Sequence, residues 1–114
     1  MDLSEEELEL IDDIKLSTHR GLWGMVIPTL RKVTLQWDSQ NKEFMIIFYH
    51  DGPITPSIED HYSCVHCEVE ADFVFDPRSD YKIVRCDYPE SLPKDEGYLI
   101  YLRREPFVDP TTII

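Results

Sequence analysis

A loose apolar stripe with helical spacing runs through residues 5–19. Ser4 is followed three residues later by Glu7, which is a capping-box pattern, so the stripe predicts a first helix that begins at this point. Gly21 is placed to end the helix. The periodicity is then lost in a segment that contains glycine and proline, and we predict a loop there with Trp23 as a buried plug.

Apolar and polar residues alternate from Thr29 to Trp37, which predicts a half-buried strand. The polar turn 38–42 has hairpin length, and the nearly continuous apolar run 43–49 predicts a second, central strand. The following residues 51–53, Asp-Gly-Pro, end this strand, because glycine permits positive φ and proline removes a ladder donor.

Thr55 and Pro56 read as the N-cap and first residue of a second helix. Its apolar residues recur at spacings of three and four and should lie on the sheet. They are Ile58, Tyr62, Val65, Val69 and Phe73. The other sides of the helix would then present a mostly acidic surface to solvent.

Two further apolar runs, residues 81–87 and 98–104, predict a third and a fourth strand. We expect these strands to pair antiparallel, because a short loop joins them. The resulting α-β-β-α-β-β order predicts an α+β fold with a four-stranded, mainly antiparallel sheet. One helix would pack on a face of the sheet, and the N-terminal helix would lie at an end or edge.

The composition limits the partners more than it limits the fold. The 114 residues fit one domain, 1–114, with a linker-like tail at 106–112. Twenty-three acidic residues against eleven basic ones give a net charge of −12, which disfavours nucleic acid and anionic membranes and favours basic proteins. The acidic N-terminus, the absence of a long apolar run and three unpaired cysteine spacings predict a cytoplasmic protein.

The residues His61, Cys64 and Cys67 are spaced three apart and could form part of a zinc site or a redox pair. No second ligand pair accompanies them, and their helical position beside glutamates disfavours a thiolate. We therefore predict no cofactor and no enzymatic activity, with a small thiol- or zinc-dependent enzyme as the weakest alternative.

The second helix carries no Lys or Arg between Thr55 and Phe73, so its negative field has no local compensation. Such a surface either keeps the protein soluble or steers a basic partner toward it. For the second case, the predicted partner-binding residues are four carboxylates with one aromatic anchor, Tyr62 or, alternatively, Tyr49. The predicted set is Asp51, Glu59, Asp60, Tyr62 and Glu70.

Four segments carry a family resemblance. They are IPTLRKVTLQWD (27–38), FYHDGP (48–53), CEVEADF (67–73) and YLIYLRRE (98–105). Together they resemble small bacterial immunity proteins that accompany polymorphic toxin and contact-dependent inhibition systems. His50 and the Cys64/Cys67 pair depart from the pattern.

This resemblance implies a cytoplasmic protein that binds a toxin domain, often a nuclease, and blocks it by occlusion. It also implies structural roles for Arg31, Tyr101 and Arg103, either in pairing with carboxylates or in covering the sheet edge. A different class of function remains open at this point. The chain could instead be a structural or adaptor module, monomeric or assembled as a homodimer through an exposed strand edge.

Overall fold

The computed structural model describes residues 3–105, which form two helices and a four-stranded mixed sheet. In chain order the elements are α1 (Glu5–Leu22), β1 (Leu30–Asp38), β2 (Glu43–His50), α2 (Pro56–Ala71), β3 (Arg78–Arg85) and β4 (Tyr98–Leu102). This order confirms the predicted α+β fold. The predicted linker 106–112 lies outside the described residues.

Local sequence signals start both helices where predicted. Ser4 Oγ accepts a hydrogen bond from the Glu7 N–H, and the Glu7 carboxylate accepts one from the Ser4 N–H, which completes the capping box of α1. At α2, the Thr55 hydroxyl accepts from the Ile58 N–H, and Pro56 occupies the first helical position, where no N–H is needed.

The sheet has the strand order β3-β2-β1-β4. β1 pairs antiparallel with both β2 and β4, whereas β3 pairs parallel with β2. The predicted pairing of the third and fourth strands is therefore wrong, and these strands lie on opposite edges. Because α2 returns the chain before β3 begins, β3 can run parallel to β2. The loop 86–97 then connects one edge to the other.

The two helices pack against each other in antiparallel orientation. The hydroxyl of Ser17 donates to Asp72 just after α2, while Gly21, one turn further along α1, lies against Val65 and Val69. A Cβ at Gly21 would lie 3.0 Å from Val69 Cγ2 and 3.3 Å from the Val65 carbonyl oxygen. Gly21 is thus a packing residue inside α1, and the prediction that it ends the helix is wrong.

The core lies between the helix pair and the sheet. It contains Ile14, Leu22, Leu30, Val33, Leu35, Phe44, Ile46, Phe48, Tyr62, Val65, Val69 and Ile100. The predicted stripe of α2 is confirmed, since Tyr62, Val65 and Val69 are buried and Ile58 and Phe73 pack against the same cluster.

The predicted burial of Trp23 is wrong. Its side chain is 74% exposed. Because α1 extends to Leu22, that leucine occupies the buried position at the end of the helix and Trp23 becomes the C-cap residue outside the core.

Candidate functional site

The outer side of α2 carries carboxylates that have no cationic partner. Glu59, Asp60 and Glu68 are exposed, and no Lys or Arg within residues 3–105 forms an ion pair with them. Glu70 is also exposed, and its nearest potential cation is His66, with Nε2 4.0 Å from the carboxylate. The local compensation that most surface helices contain is missing here.

α1 carries further carboxylates in its first turns, which lie beyond the C-terminal end of α2, because Ser17 of α1 is already in contact with Asp72. Four of its carboxylates are exposed and lack an ion pair among the described residues: Glu5, Glu6, Glu9 and Asp13. We define the acidic helical surface as these four residues together with Glu59, Asp60, Glu68 and Glu70. Three of the five predicted partner-binding residues therefore belong to it.

Asp51, the fourth predicted steering carboxylate, is held in a different environment. Its Oδ2 lies 3.2 Å from Arg103 Nη2, and its Oδ1 accepts a hydrogen bond from the Tyr88 N–H. Arg103 also donates to the Pro28 carbonyl oxygen at 2.7 Å. The charge of Asp51 is thus locally compensated, and its side chain ties the end of β2 to the loop 86–97 and to the segment after β4.

Arg31 lies at the centre of this network. A register shift between Leu30 and Lys32 removes it from the simple alternation of β1, and only 2% of its side chain is exposed. Its guanidinium binds Glu105 through two hydrogen bonds, of 2.6 and 2.8 Å, and donates to the Cys86 carbonyl oxygen at 2.9 Å. The bidentate geometry suits a planar guanidinium and a carboxylate.

The two charged partners stabilise each other's ionised form. The hydrogen bond to Glu105 raises the pKa of Arg31, although burial opposes this effect. The hydrogen bonds from Arg31 and Arg103, working against burial, lower the pKa of Glu105. The structural roles that the resemblance implied for Arg31 and Arg103 are confirmed by these contacts.

Tyr62 is a core residue and has no exposed surface. Its ring stacks on Phe48 with centroids 4.6 Å apart, and its hydroxyl lies 2.7 Å from His50 Nδ1. Burial raises the pKa of Tyr62 and lowers that of His50, so the two groups form a neutral buried hydrogen bond. A partner cannot contact a side chain with no exposed surface, and the prediction of Tyr62 as an anchor is therefore wrong.

Tyr49, the alternative anchor, is also buried, on the side of the sheet where the loop 86–97 returns. Its hydroxyl donates to Asp95, which also accepts from Thr34 at 2.7 Å. Burial, together with the Asp95 carboxylate, raises the pKa of Tyr49 to about 12. Tyr49 therefore holds the loop on the sheet and is not available as an anchor.

The residues His61, Cys64 and Cys67 do not converge on one point. His61 Nε2 lies 2.7 Å from the Met25 carbonyl oxygen, while both cysteines are exposed and free. Among residues 3–105, no group of three or more His, Cys, Asp and Glu side chains is arranged to hold a metal ion.

Neither of the two helices in residues 3–105 is long and apolar enough to cross a membrane.

Sequence reasoning missed the exposed apolar side chains at the two ends of the helix layer. Trp23 follows α1, while Val74 and Phe75 follow α2, and all three are largely exposed. Their position directly after a predicted helix end was the available signal, because such residues begin a loop that need not return to the core. Exposed apolar side chains are a common component of protein-binding surfaces.

The structure is that of a small α+β domain whose helices carry exposed carboxylates. The model of the MafI2 immunity protein family matches residues 11–105, and the chain belongs to this family. No curated protein matches the chain. Membership implies a toxin-neutralising function with a cognate toxin protein as the partner, in agreement with the resemblance described from the sequence.

Proposed function

We propose that this protein is a non-enzymatic immunity protein of the cytoplasm that occludes a basic toxin domain through its acidic helical surface. The observation that carries this proposal is the unpaired state of Glu59, Asp60 and Glu68 among the described residues. The other predicted carboxylate, Asp51, is compensated by Arg103 and contributes less to the external field.

A nuclease is the kind of toxin that fits this surface best. An enzyme that cleaves nucleic acid presents positive charge to the phosphates of its substrate. An acidic inhibitor that covers this positive charge associates faster through electrostatic steering and excludes the substrate by occupying the same surface. α2 itself contributes no Lys or Arg that would offset such a field.

The test compares two double variants with the same charge change. E59K/D60K reverses two charges on the acidic helical surface, whereas E90K/E96K reverses two exposed charges in the loop 86–97, which belongs to neither helix. Affinity capture from the native host's lysate, at low and then moderate salt, first identifies the toxin domain. Binding of the purified domain is then measured by surface plasmon resonance at both salt concentrations.

We expect E59K/D60K to weaken binding at least about tenfold, mainly through a lower association rate, and E90K/E96K to change it much less. The difference between wild type and E59K/D60K should shrink at higher salt, because screening weakens long-range attraction. Equal effects of the two variants would mean that only net charge matters. Unchanged binding by E59K/D60K would remove this surface from the mechanism.

A further inference from the structure

The two edges of the sheet differ in regularity. β3 pairs with β2 over eight consecutive residues without a register shift, and its other side pairs with no strand among residues 3–105. β4 has only five residues, and its pairing with β1 shifts register between Val33 and Thr34. A bulge of this kind discourages strand addition, whereas a regular edge presents backbone groups to another strand. On β3 the Tyr81 N–H donates to Asp80 Oδ1 at 2.8 Å, and a paired strand would have to replace this acceptor.

The charges of β3 are complementary to those of a second β3 strand that runs antiparallel to it. In an antiparallel pair centred on Tyr81, Asp80 of one chain stands opposite Lys82 of the other, and the symmetry produces this contact twice. Asp80 and Lys82 are exposed and lie on the same side of the sheet, since residues two apart in a strand share a face. Charged side chains that discourage an arbitrary strand would thus favour a second copy of this one.

We propose that β3 pairs antiparallel with β3 of a second copy, centred on Tyr81, so that the two sheets join into one sheet of eight strands. The pairing is isologous, as a two-fold symmetric dimer requires. It goes beyond the proposed function and shares one residue, Glu59, with the acidic helical surface.

The charge pattern also selects the register. Centring the pair on Asp80 would place the two Asp80 carboxylates opposite each other, and centring it on Lys82 would oppose the two lysines. A shift of the register by a single residue would set side chains of opposite sheet faces against each other. The register centred on Tyr81 avoids these conflicts and pairs residues 78–84 of each strand.

The arginines at the ends of β3 do not oppose the contact, because each is neutralised within its own chain. Arg78 Nη2 lies 3.4 Å from the Glu43 carboxylate, and Arg85 Nη2 lies 3.0 Å from the Asp87 carboxylate. Within the paired strands, the charges that face each other are therefore those of Asp80 and Lys82, while Glu59 of α2 borders the same edge.

A shallow groove of about 360 Å³ follows the same edge. It is lined by Ile54, Glu59, Asp80, Tyr81, Lys82 and Ile83. Ile54 is 37% exposed there, so strand addition would cover apolar surface in addition to satisfying backbone groups. Apart from Glu59, the residues of the acidic helical surface do not line this groove.

Sedimentation velocity tests the pairing through charge exchange. The sedimentation of the wild-type protein should correspond to a molecular mass twice the 13.5 kDa of one chain. D80K and K82D each place like charges opposite each other at two positions and should weaken the dimer at least about tenfold. The double variant D80K/K82D restores opposite charges and should recover it. E68K and K94D carry the same charge changes at exposed positions outside the groove and should remain dimeric.

Circular dichroism checks that every variant is folded, which we expect because both substituted side chains are exposed. A wild-type protein that stays monomeric over the whole concentration range would overturn the proposal, as would a dimer that D80K and K82D leave unchanged. A folded double variant that fails to recover the dimer would overturn the register. Protection of the β3 amides from hydrogen exchange only after addition of the toxin domain would overturn the pairing and assign this edge to the toxin instead.

Discussion

Replacing Glu105 by glutamine should destabilise the fold through Arg31. The substitution removes the carboxylate that faces a guanidinium whose side chain is only 2% exposed. Glu105 accepts hydrogen bonds from both Arg31 and Arg103, so the E105Q variant reports on a negative charge that two arginines share. A buried cation without its partner cannot be rehydrated fully, and this is the source of the expected cost.

The geometry sets the magnitude. Breaking a buried ion pair by removing one partner costs about 3–5 kcal/mol. We expect a value near the lower limit, about 3 kcal/mol, because the Glu105 side chain is 15% exposed and Arg31 keeps its bond to the Cys86 carbonyl oxygen. For a urea slope of about 1.5 kcal/mol/M, the unfolding midpoint would fall by about 2 M.

The assay is equilibrium urea unfolding of wild type, E105Q, R31M and R31M/E105Q. The double variant should lose less stability than the sum of the single losses, since neither partner is left alone. D12N is the matched acid-to-amide control, because Asp12 pairs with Lys15 at 3.8 Å on the surface. Its free energy of unfolding should stay within about 0.5 kcal/mol of wild type.

The pH dependence gives a second readout. Because folding lowers the pKa of Glu105, its stabilising contribution is present above the ordinary glutamate pKa of 4.5 and is lost as pH falls through the folded value. The difference between wild type and E105Q should therefore be largest at neutral pH and narrow below about pH 4.5. A loss under about 1 kcal/mol at pH 7, or a pH-independent difference, would refute a buried, charge-dependent role.

Two substitutions test the packing of the helix layer. Tyr62→Phe should lower the free energy of unfolding in urea by about 1–2 kcal/mol, because it leaves the buried His50 Nδ1 without its hydrogen-bond partner. An unchanged free energy of unfolding would mean that water replaces the hydroxyl. Gly21→Val should lower the free energy of unfolding, measured by thermal unfolding, by about 2 kcal/mol or more, because even its Cβ would lie 3.0 Å from Val69 Cγ2. Unchanged stability would show that the two helices can separate without cost.

Much of the helical structure and of the hairpin could be predicted from short-range sequence patterns. The capping box at Ser4, the Thr55-Pro56 start of α2 and the apolar stripe through Val65 act within a few residues, so the chain needs no distant contact to specify them. The acidic character of α2 was readable for the same reason. Its exposed carboxylates Glu59 and Asp60 follow from the stripe on the opposite side.

The partners of the other residues depend on contacts between distant segments. Nothing local distinguishes a β3 that pairs with β4 from one that pairs with β2, and the choice arises when α2 packs across the sheet. Asp51 meets Arg103, 52 residues away, only because β2 and β4 flank the same strand.

The sequence by itself determined the class of fold, the acidic helix and the family resemblance, because these depend on composition and local spacing. Only the tertiary structure decided which side chains remain available to a partner. It buried Tyr62 against His50, exposed Trp23 and left β3 at a regular edge. The physical reason is that exposure and pairing are properties of the packed assembly of elements, whereas helix and strand signals act along the chain.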